Sequence, residues 1–279
     1  MFEALPCETL IARTPLRPAP SLANTRLASF AFLSGAELTA LEDCTASRRS
    51  VKAGTELVQL GEAVENLYFL VDGWACQYTT VRDGRRQISA LLLPGDICNL
   101  DALLFEQLDC GVRMLSAGTV LSVPRERVAA LASTYSGIAQ GFTWLGFVEN
   151  AILARRTLCL GRLSARERVA HLLCELAVRL GFNQDEGETS FEMPLTQEHL
   201  ADALGLTPVH VNRTLQQLRT EGLLASTKRI VAICDVAALR RAGEFQPNYL
   251  HVQAAQNGAA NDQRKTSGRG TSFRSNGRR

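Results

Sequence analysis

The chain has 279 residues, of which 46% are hydrophobic and 6% aromatic, and its formal net charge is +2. This length accommodates about two domains, each with a hydrophobic core of ordinary size. The sequence argues against membrane insertion and export, because no run of eighteen apolar residues occurs and no basic N-terminal segment precedes an apolar one. We therefore expect a cytoplasmic protein without a membrane partner.

Residues 1–25 are proline-rich without a hydrophobic period, and they are predicted to form a flexible leader. From about residue 50 to residue 124, turn signals alternate with short apolar runs such as "LYFLV" and "QISALLL". The turn signals contain Gly, Asp or Pro and mostly lie about ten residues apart. Short strands that reverse at this interval are typical of an antiparallel barrel or sandwich. The sequence therefore predicts an all-β domain over residues 50–124.

A long helix is predicted after the β domain, because apolar residues recur there at or near a seven-residue interval. These residues are Ile138, Phe142, Leu145, Ile152 and Cys159. The stripe runs along about seven helical turns, which is more apolar surface than a small β domain can cover. Glu149 and Arg156 interrupt its second seam position. We expect the five apolar residues to form a homodimer interface; a stripe packed wholly within one chain is the alternative.

Residues 195–224, "LTQEHLADALGLTPVHVNRTLQQLRTEGLL", predict two short helices joined by a tight turn. Thr196 is the predicted N-cap of the first helix, and Gly205 ends it because glycine accepts the left-handed conformation at a helix C-terminus. Thr207 is the predicted N-cap of the second helix, which has Pro208 at its first position. Stop and start signals this close together are typical of a helix-turn-helix.

The second of these helices has a polar face that suits duplex DNA. Val211, Leu215 and Leu218 are expected to point into the core, which leaves the opposite face to solvent. There, a guanidinium can bond guanine O6 and N7, amides and an imidazole can reach base edges, and a valine can contact a thymine methyl. The residues predicted to read bases are Val209, His210, Asn212, Arg213 and Gln216.

The runs "LLAST" and "KRIVAI" follow this helix and predict a β wing with a turn near Thr227. Basic residues at the wing tip and polar residues at the helix N-termini suit DNA phosphates. The residues predicted to bind phosphate are Thr196, Gln197, Thr207, Lys228 and Arg229. Residues 245–279 are rich in Asn, Gly, Ser and Arg, so we expect a disordered basic tail, and a role for it in holding nucleic acid stays open.

The β domain, the long helix and the segments "ARERVAHLLCELAVRLG" and "PLTQEHLADALGLTPVHVNRTLQQLRTEGLL" together resemble the Crp/Fnr superfamily of bacterial transcription regulators over about residues 30–243. The resemblance implies an α+β fold with a cyclic-nucleotide-binding-like antiparallel β-roll, a long dimerisation helix and a C-terminal winged helix-turn-helix. It also implies a homodimer that binds a palindromic operator in double-stranded DNA and contacts RNA polymerase. The expected boundaries are a leader over 1–25, the roll over 26–130, the dimerisation helix over 131–161, the winged helix-turn-helix over 162–244 and the tail over 245–279.

Departures from the family pattern limit what the resemblance implies. Cyclic-nucleotide binders of the family carry a glycine–glutamate pair and an arginine–serine pair. This chain has Asn99-Leu100 at the first place and no Arg-Ser at the second, where Arg113 is the nearby basic residue. Cys7 alone precedes Cys44, which argues against an iron–sulfur cluster, and no histidine lies in the predicted roll to bind haem. We therefore expect no control by cyclic AMP, predict no cofactor and leave the effector unknown.

A third departure concerns Val209, which stands where many relatives carry glutamate, so the operator is expected to differ from the common consensus.

The alternative function is a sensor or regulatory subunit that acts on a protein partner through its β-roll and winged helix. An enzyme is not expected, because the sequence has no catalytic or metal-binding arrangement. Cys98 and Cys110, near the mouth of the predicted roll, are candidates for a redox response.

Overall fold

A computed structural model describes residues 26–29, 33–44, 47–182, 184–226 and 229–252. The predicted leader over 1–25, the predicted phosphate ligand Lys228 and the tail beyond residue 252 lie outside the described residues.

Seven antiparallel strands form the N-terminal roll within the described residues. The strands are β1 (Ser47–Val51), β2 (Glu56–Val58), β3 (Asn66–Asp72), β4 (Ala75–Thr80), β5 (Arg86–Leu92), β6 (Gly111–Met114) and β7 (Gly118–Pro124). One sheet has the strand order β1-β7-β3 and the other has the order β2-β6-β4-β5. The predicted all-β domain is confirmed, and it begins three residues earlier than residue 50, at Ser47. Strand β5 lies at the edge of its sheet.

Three helices flank the roll, namely α1 (Gly35–Asp43), α2 (Arg125–Thr134) and α3 (Ser136–Arg162). Helix α1 begins with a capping box made by Ser34 and Glu37. The carboxylate of Glu37 also accepts a hydrogen bond of 2.7 Å from the backbone N–H of Gly137, so the start of α3 is attached to α1. Helix α3 has 27 residues, which confirms the predicted long helix. Of the helices in the described part of the chain, none has the length and apolarity that a membrane crossing requires.

The apolar stripe of α3 faces the chain's own core. Ile138, Phe142 and Leu145 pack in the hydrophobic cluster of the roll, and Ile152 belongs to a second cluster that continues into the C-terminal helices. Cys159 is buried beside that second cluster. The assignment of these five residues to a dimer interface is therefore corrected, because the roll and the C-terminal helices already cover them.

Where the structure describes the C-terminal part, it has four α-helices and a three-stranded sheet. Its elements are α4 (Ala165–Arg179), β8 (Thr189–Glu192), α5 (Gln197–Leu204), α6 (Pro208–Thr220), β9 (Leu224–Ser226), β10 (Ile230–Ile233) and α7 (Val236–Ala242). The strand order is β8-β10-β9, so the predicted wing hairpin gains a third strand. Strand β8 was not predicted from the sequence, because it is short and acidic residues precede it. The winged helix-turn-helix itself is confirmed.

Residues 245–252 do not follow the prediction of a disordered tail. Phe245, Tyr249 and Leu250 are buried, and Pro247–Leu250 forms a 3-10 helix that packs against α3 and α4. The prediction was wrong here because three apolar side chains are enough to anchor a segment whose average composition is polar.

The roll and the C-terminal part share a hydrophobic core. The second cluster runs from Cys76, Ile88 and Leu91 in the roll, through Ile152 on α3, to the helices of the helix-turn-helix. Because this core is continuous, the C-terminal helices are placed directly against strand β5 of the roll.

Candidate nucleic-acid interface

The helix-turn-helix is built by the local signals that the sequence predicted. The hydroxyl of Thr196 accepts a hydrogen bond of 3.1 Å from the backbone N–H of His199, and Thr207 caps α6 in the same way through His210, at 3.2 Å. Gly205 ends α5 with φ 62° and ψ 41°, in the left-handed region that glycine adopts without a steric penalty. Only three residues separate the two helices, so their relative orientation is set by these caps.

Helix α6 separates a buried face from a polar one. Val211 and Leu218 are completely buried, and Thr214 is buried with its hydroxyl donating to the carbonyl of His210. On the opposite face, the structure brings together all five residues predicted to read bases. Val209, Asn212, Arg213 and Gln216 are exposed and His210 is half-buried.

The polar side chains of this face are free to bond a ligand. Within the described residues, the side chains of Asn212, Arg213 and Gln216 make no hydrogen bond or ion pair with the protein. Val209 is 80% exposed although it is apolar, and it sits in the first turn of α6. An exposed valine beside an unpaired guanidinium and two amides forms a surface that can contact the edges of base pairs.

The residues predicted to bind phosphate lie around this face. Thr196, Gln197 and Thr207 are exposed at the N-termini of α5 and α6, where unpaired backbone N–H groups and the helix dipole favour an anion. Arg229 at the wing is 74% exposed and lies 3.8 Å from the similarly exposed carboxylate of Glu192. An ion pair this exposed to water contributes little to stability, so the guanidinium of Arg229 is available to bind a phosphate.

A further basic residue, Arg219, was not assigned a role from the sequence. It lies near the end of α6 and donates to the hydroxyl of Ser226 on β9, at 3.1 Å from its Nε. Together with Gln197 and Arg229 it lines a cleft of about 160 Å³ between the helix-turn-helix and the wing. Its position directly after the buried Leu218, in the last turn of α6, was the signal that sequence reasoning overlooked.

Comparison with known proteins identifies the family of this chain. The model of the Crp-like helix-turn-helix domain matches residues 167–242, and that of the cyclic nucleotide-binding domain matches residues 48–135. The nitrogen fixation regulation protein FixK of Azorhizobium caulinodans is 33% identical over 181 residues, which are 64% of this chain and 72% of that protein. The transcriptional activator protein FnrL of Cereibacter sphaeroides is 31% identical over 209 residues, 73% of this chain and 84% of that protein. The chain belongs to the Crp/Fnr superfamily.

Solved structures support the same assignment for this Crp/Fnr protein. The structure of FixK2 from Bradyrhizobium japonicum is similar with a TM-score of 0.65 and 29% identity, covering 71% of this chain and 97% of that one. A transcriptional regulator of the CRP family from Thermus thermophilus shares the fold, with a TM-score of 0.56 and 22% identity, over 71% of this chain and 97% of that one. This protein is therefore a DNA-binding transcription regulator of the Crp/Fnr type. The relatives give no support to the alternative of a subunit acting on a protein partner.

The roll of this Crp/Fnr regulator does not fit a cyclic nucleotide at the positions that the family uses. Asn99 is completely buried, and its amide already bonds the protein: Oδ1 accepts from the N–H of Tyr68, and Nδ2 donates to the carbonyl of Asn66, both at 2.9 Å. Arg113 donates to the carbonyl of Gly54 at 3.1 Å and pairs with Glu56 at 3.2 Å. The amide of Asn99 is therefore not left to hold a ribose, and the Nε of Arg113 is not left to hold a phosphate.

Acidic groups add to this mismatch. Burial, and then the charge of Asp109, raise the pKa of Asp101. Burial and the neighbouring Asp96 raise the pKa of Glu149 on α3 to about 7. A phosphate would add negative charge to a region where carboxylates already disfavour one another's ionisation.

The two candidate redox cysteines lie in unfavourable surroundings. Cys98 is completely buried, and burial followed by the charge of Asp96 raises the pKa of its thiol. Burial, Asp101 and Asp109 raise the pKa of the Cys110 thiol to about 11. Because the thiolate is the reactive form, the structure argues against a redox role for either residue. Among the described residues, no group of three His, Cys, Asp or Glu side chains is placed to hold a metal ion.

Proposed function

We propose that this Crp/Fnr regulator binds a two-fold symmetric operator as a homodimer, with α6 of each chain in a major groove. The observation that carries the proposal is the polar face of α6, where Asn212, Arg213 and Gln216 are exposed and make no bonds to the described protein. A guanidinium and two amides on one exposed face of the second helix of a helix-turn-helix are the donors that can bond base edges in a major groove.

Each residue has a distinct role in this proposal. Arg213 reads guanine through a bidentate contact, and Val209 contacts a thymine methyl. His210, Asn212 and Gln216 bond neighbouring base edges or phosphates. The register on the duplex is set by phosphate contacts from the helix N-termini and the wing, that is, from Thr196, Gln197, Thr207, Lys228 and Arg229.

The dimer surface is proposed on the face of α3 opposite to the buried stripe. Three large apolar residues are exposed there: Phe147 is 71% exposed, Leu153 49% and Leu158 48%. With Asn150 and Ala154 they follow the helical period along the outer side of α3. A second copy of α3 would cover these side chains and bring the two α6 helices into a symmetric pair.

Phe147→Glu tests the dimer surface. A charge in the centre of an apolar helix pair is expected to shift the protein to a monomer in sedimentation or light scattering. Leu104→Glu is the matched control, because Leu104 is also an exposed apolar residue but lies on the roll, and the control variant is expected to remain a dimer. A dimeric Phe147→Glu protein would show that the chains associate through another surface.

Selection of bound sequences from random duplex DNA tests the proposed function as a whole. The purified protein is expected to enrich a palindrome with half-sites about one helical turn apart. Binding that is sensitive to salt but indifferent to sequence would contradict base reading by α6. Contact with RNA polymerase is proposed from family membership.

We also propose that cyclic AMP is not the effector of this regulator. The proposal is supported by the amide of Asn99 and the Nε of Arg113, which are bonded within the roll, and by Asp101 and Glu149, whose pKa values are raised by burial and by neighbouring carboxylates. Titration calorimetry with cyclic AMP is expected to give no binding heat, and saturable binding would contradict the proposal.

A further inference from the structure

Strand β5 has an outer edge that no strand in the described part of the chain pairs with, since it is the last strand of its sheet. Two carbonyls on this edge are nevertheless bonded. Arg156 on α3 donates from Nη1 to the carbonyl of Ser89 at 2.7 Å, and Arg179 on α4 donates from Nη2 to the carbonyl of Leu91 at 2.9 Å. The two arginines thus replace the neighbouring strand that an edge otherwise lacks.

Both arginines are buried, so their charges need partners inside the protein. Glu175 on α4 lies 3.2 Å from Arg156 and 3.4 Å from Arg179. Asp96, in the turn after β5, lies 2.8 Å from Arg179. All four side chains are at most 7% exposed, which makes this cluster a single buried charge network between the roll and α4.

The C-terminal segment completes the network. The hydroxyl of Tyr249 lies 3.0 Å from the second carboxylate oxygen of Glu175, to which it donates, and 3.1 Å from Nε2 of His171. His171 is buried on α4, and its Nδ1 lies 2.9 Å from the carbonyl of Gly243. Glu175 therefore has Arg156 and Arg179 on one oxygen and Tyr249 on the other.

Two close contacts fix the path of this segment. At Gly243 the chain crosses α4 so tightly that an added Cβ would lie 2.5 Å from the backbone nitrogen of His171. The guanidinium of Arg155 on α3 lies over the ring of Tyr249, 5.1 Å from its centroid. The segment is thus held against α3 and α4 at the same time.

A second, smaller contact joins the same two parts of the molecule. Arg86 at the start of β5 pairs with Asp202 on α5 at 2.7 Å, and the amide of Gln87 reaches the carbonyl of Ala203 at 3.4 Å. The Arg86–Asp202 pair is half-buried, so it is weaker than the buried network.

We propose that residues 243–250 act as a strap that holds the helix-turn-helix domain (residues 165–242) in one orientation against β5, with Tyr249 as the positioning residue that acts through Glu175. The link to function rests on the proposed homodimer, because the orientation of each domain on α3 sets the distance between the two α6 helices. When this segment detaches, Glu175 loses the hydrogen bond from the hydroxyl of Tyr249. The helix-turn-helix domain then separates more readily from the edge of β5.

Hydrogen exchange on the DNA-free full chain tests the strap without relying on DNA binding. Tyr249→Phe removes only the hydroxyl, and Gly243→Ala forces the chain off α4. In both variants, amides of residues 86–92 and 197–204 are expected to exchange about tenfold faster, while β1, β3 and β7 exchange as before. Tyr68→Phe is the matched control, because it removes a tyrosine hydroxyl from the roll outside the network, and its exchange should match the wild type.

A readout on DNA separates a positioning role from a purely structural one. Tyr249→Phe is expected to weaken binding to the selected operator several-fold, while binding to random duplex DNA stays the same. Unchanged exchange at residues 86–92 in both variants would overturn the strap, even if the wild type selects a palindrome. Faster exchange in a protein that selects no sequence would support the strap and count against the proposed operator binding instead.

Discussion

The polar face of α6 and the junction between β5 and α4 use the same residue type in opposite ways. Arg213 on α6 is exposed, and its guanidinium has no partner in the described protein. Arg179 at the junction is buried and bonds the carbonyl of Leu91, Asp96 and Glu175. The first arginine keeps its donors for another molecule, whereas the second uses them to join two parts of one molecule.

This difference shows which charges of a regulator belong to binding and which belong to architecture. An exposed guanidinium costs the fold little when it is removed, so its loss is expected to appear in DNA affinity. A buried guanidinium leaves ionised partners behind when it is removed, so its loss is expected to appear in stability. Substitutions at buried and at exposed arginines test this division.

Arg179→Ala is expected to lower the free energy of unfolding by about 3–5 kcal/mol, because the buried carboxylates of Asp96 and Glu175 each lose one of two arginine partners. Urea unfolding followed by circular dichroism measures this change. Arg241→Ala, at an exposed position of α7, is the control and should change the free energy of unfolding by less than about 0.5 kcal/mol. A similar small change for Arg179→Ala would mean that the network does not stabilise the junction.

Glu149 is expected to make stability fall as pH rises. Its pKa is raised to about 7 by burial and Asp96 first, with Asp101 adding to the shift while Arg26 and Arg179 oppose it. The folded chain therefore holds a proton that the unfolded chain has released above pH 4.5, so the stabilisation is present at low pH and is lost as pH rises to about 7.

Ionisation of Glu149 alone changes the free energy of unfolding by at most about 1.4 kcal/mol per pH unit. Urea midpoints at pH 5, 6 and 7 measure it, and Glu149→Gln should flatten the dependence, whereas the exposed-site control Glu188→Gln should not. An equal slope in Glu149→Gln would assign the pH dependence to other groups.

Arg213→Ala is expected to weaken binding to the selected operator by about 1–3 kcal/mol and to relax discrimination at one base pair. Its urea midpoint should match that of the wild type, since the side chain is exposed. Fluorescence anisotropy on operator and random duplexes measures both affinities. Equal losses on the two duplexes would refute base reading by Arg213.

Arg229→Ala is expected to have the smallest effect, a uniform weakening on all sequences with the salt slope reduced by about 1. Affinities at several salt concentrations measure the slope. Because the contact of Arg229 with Glu192 is exposed to water, no change in stability should accompany the loss. A loss confined to the operator would place this side chain at a base instead of a phosphate.

The helix-turn-helix could be predicted because residues close together in the sequence determine where its helices begin and end. Thr196, Gly205 and Thr207 specify where helices start and stop through contacts within four residues, and the face of α6 follows from helical geometry. The family resemblance also predicted the order in which the roll, the long helix and the winged domain follow one another along the chain. These features do not depend on which distant surfaces meet.

Which face of α3 is buried could not be predicted, because it depends on contacts with residues that are distant in the sequence. The helix has two apolar faces, one with Ile138 and Ile152 and one with Phe147 and Leu158, and the sequence does not say which one the roll covers. Arg156 seemed to interrupt a stripe, yet it is buried because Glu175, 19 residues away, neutralises it. The segment around Tyr249 was missed likewise, since its partners lie on helices 74 or more residues earlier in the chain.

The closed edge of β5 also limits how the molecule can be divided. A fragment that ends at residue 134 would keep every strand of the roll but lose Arg156 and Arg179, so the carbonyls of Ser89 and Leu91 would face water on an open edge. Open edges of this kind pair with other chains, and such a fragment is expected to self-associate. The roll of this regulator is therefore not an independent module, because the carbonyls of its edge strand β5 are hydrogen-bonded by side chains from the later helices α3 and α4.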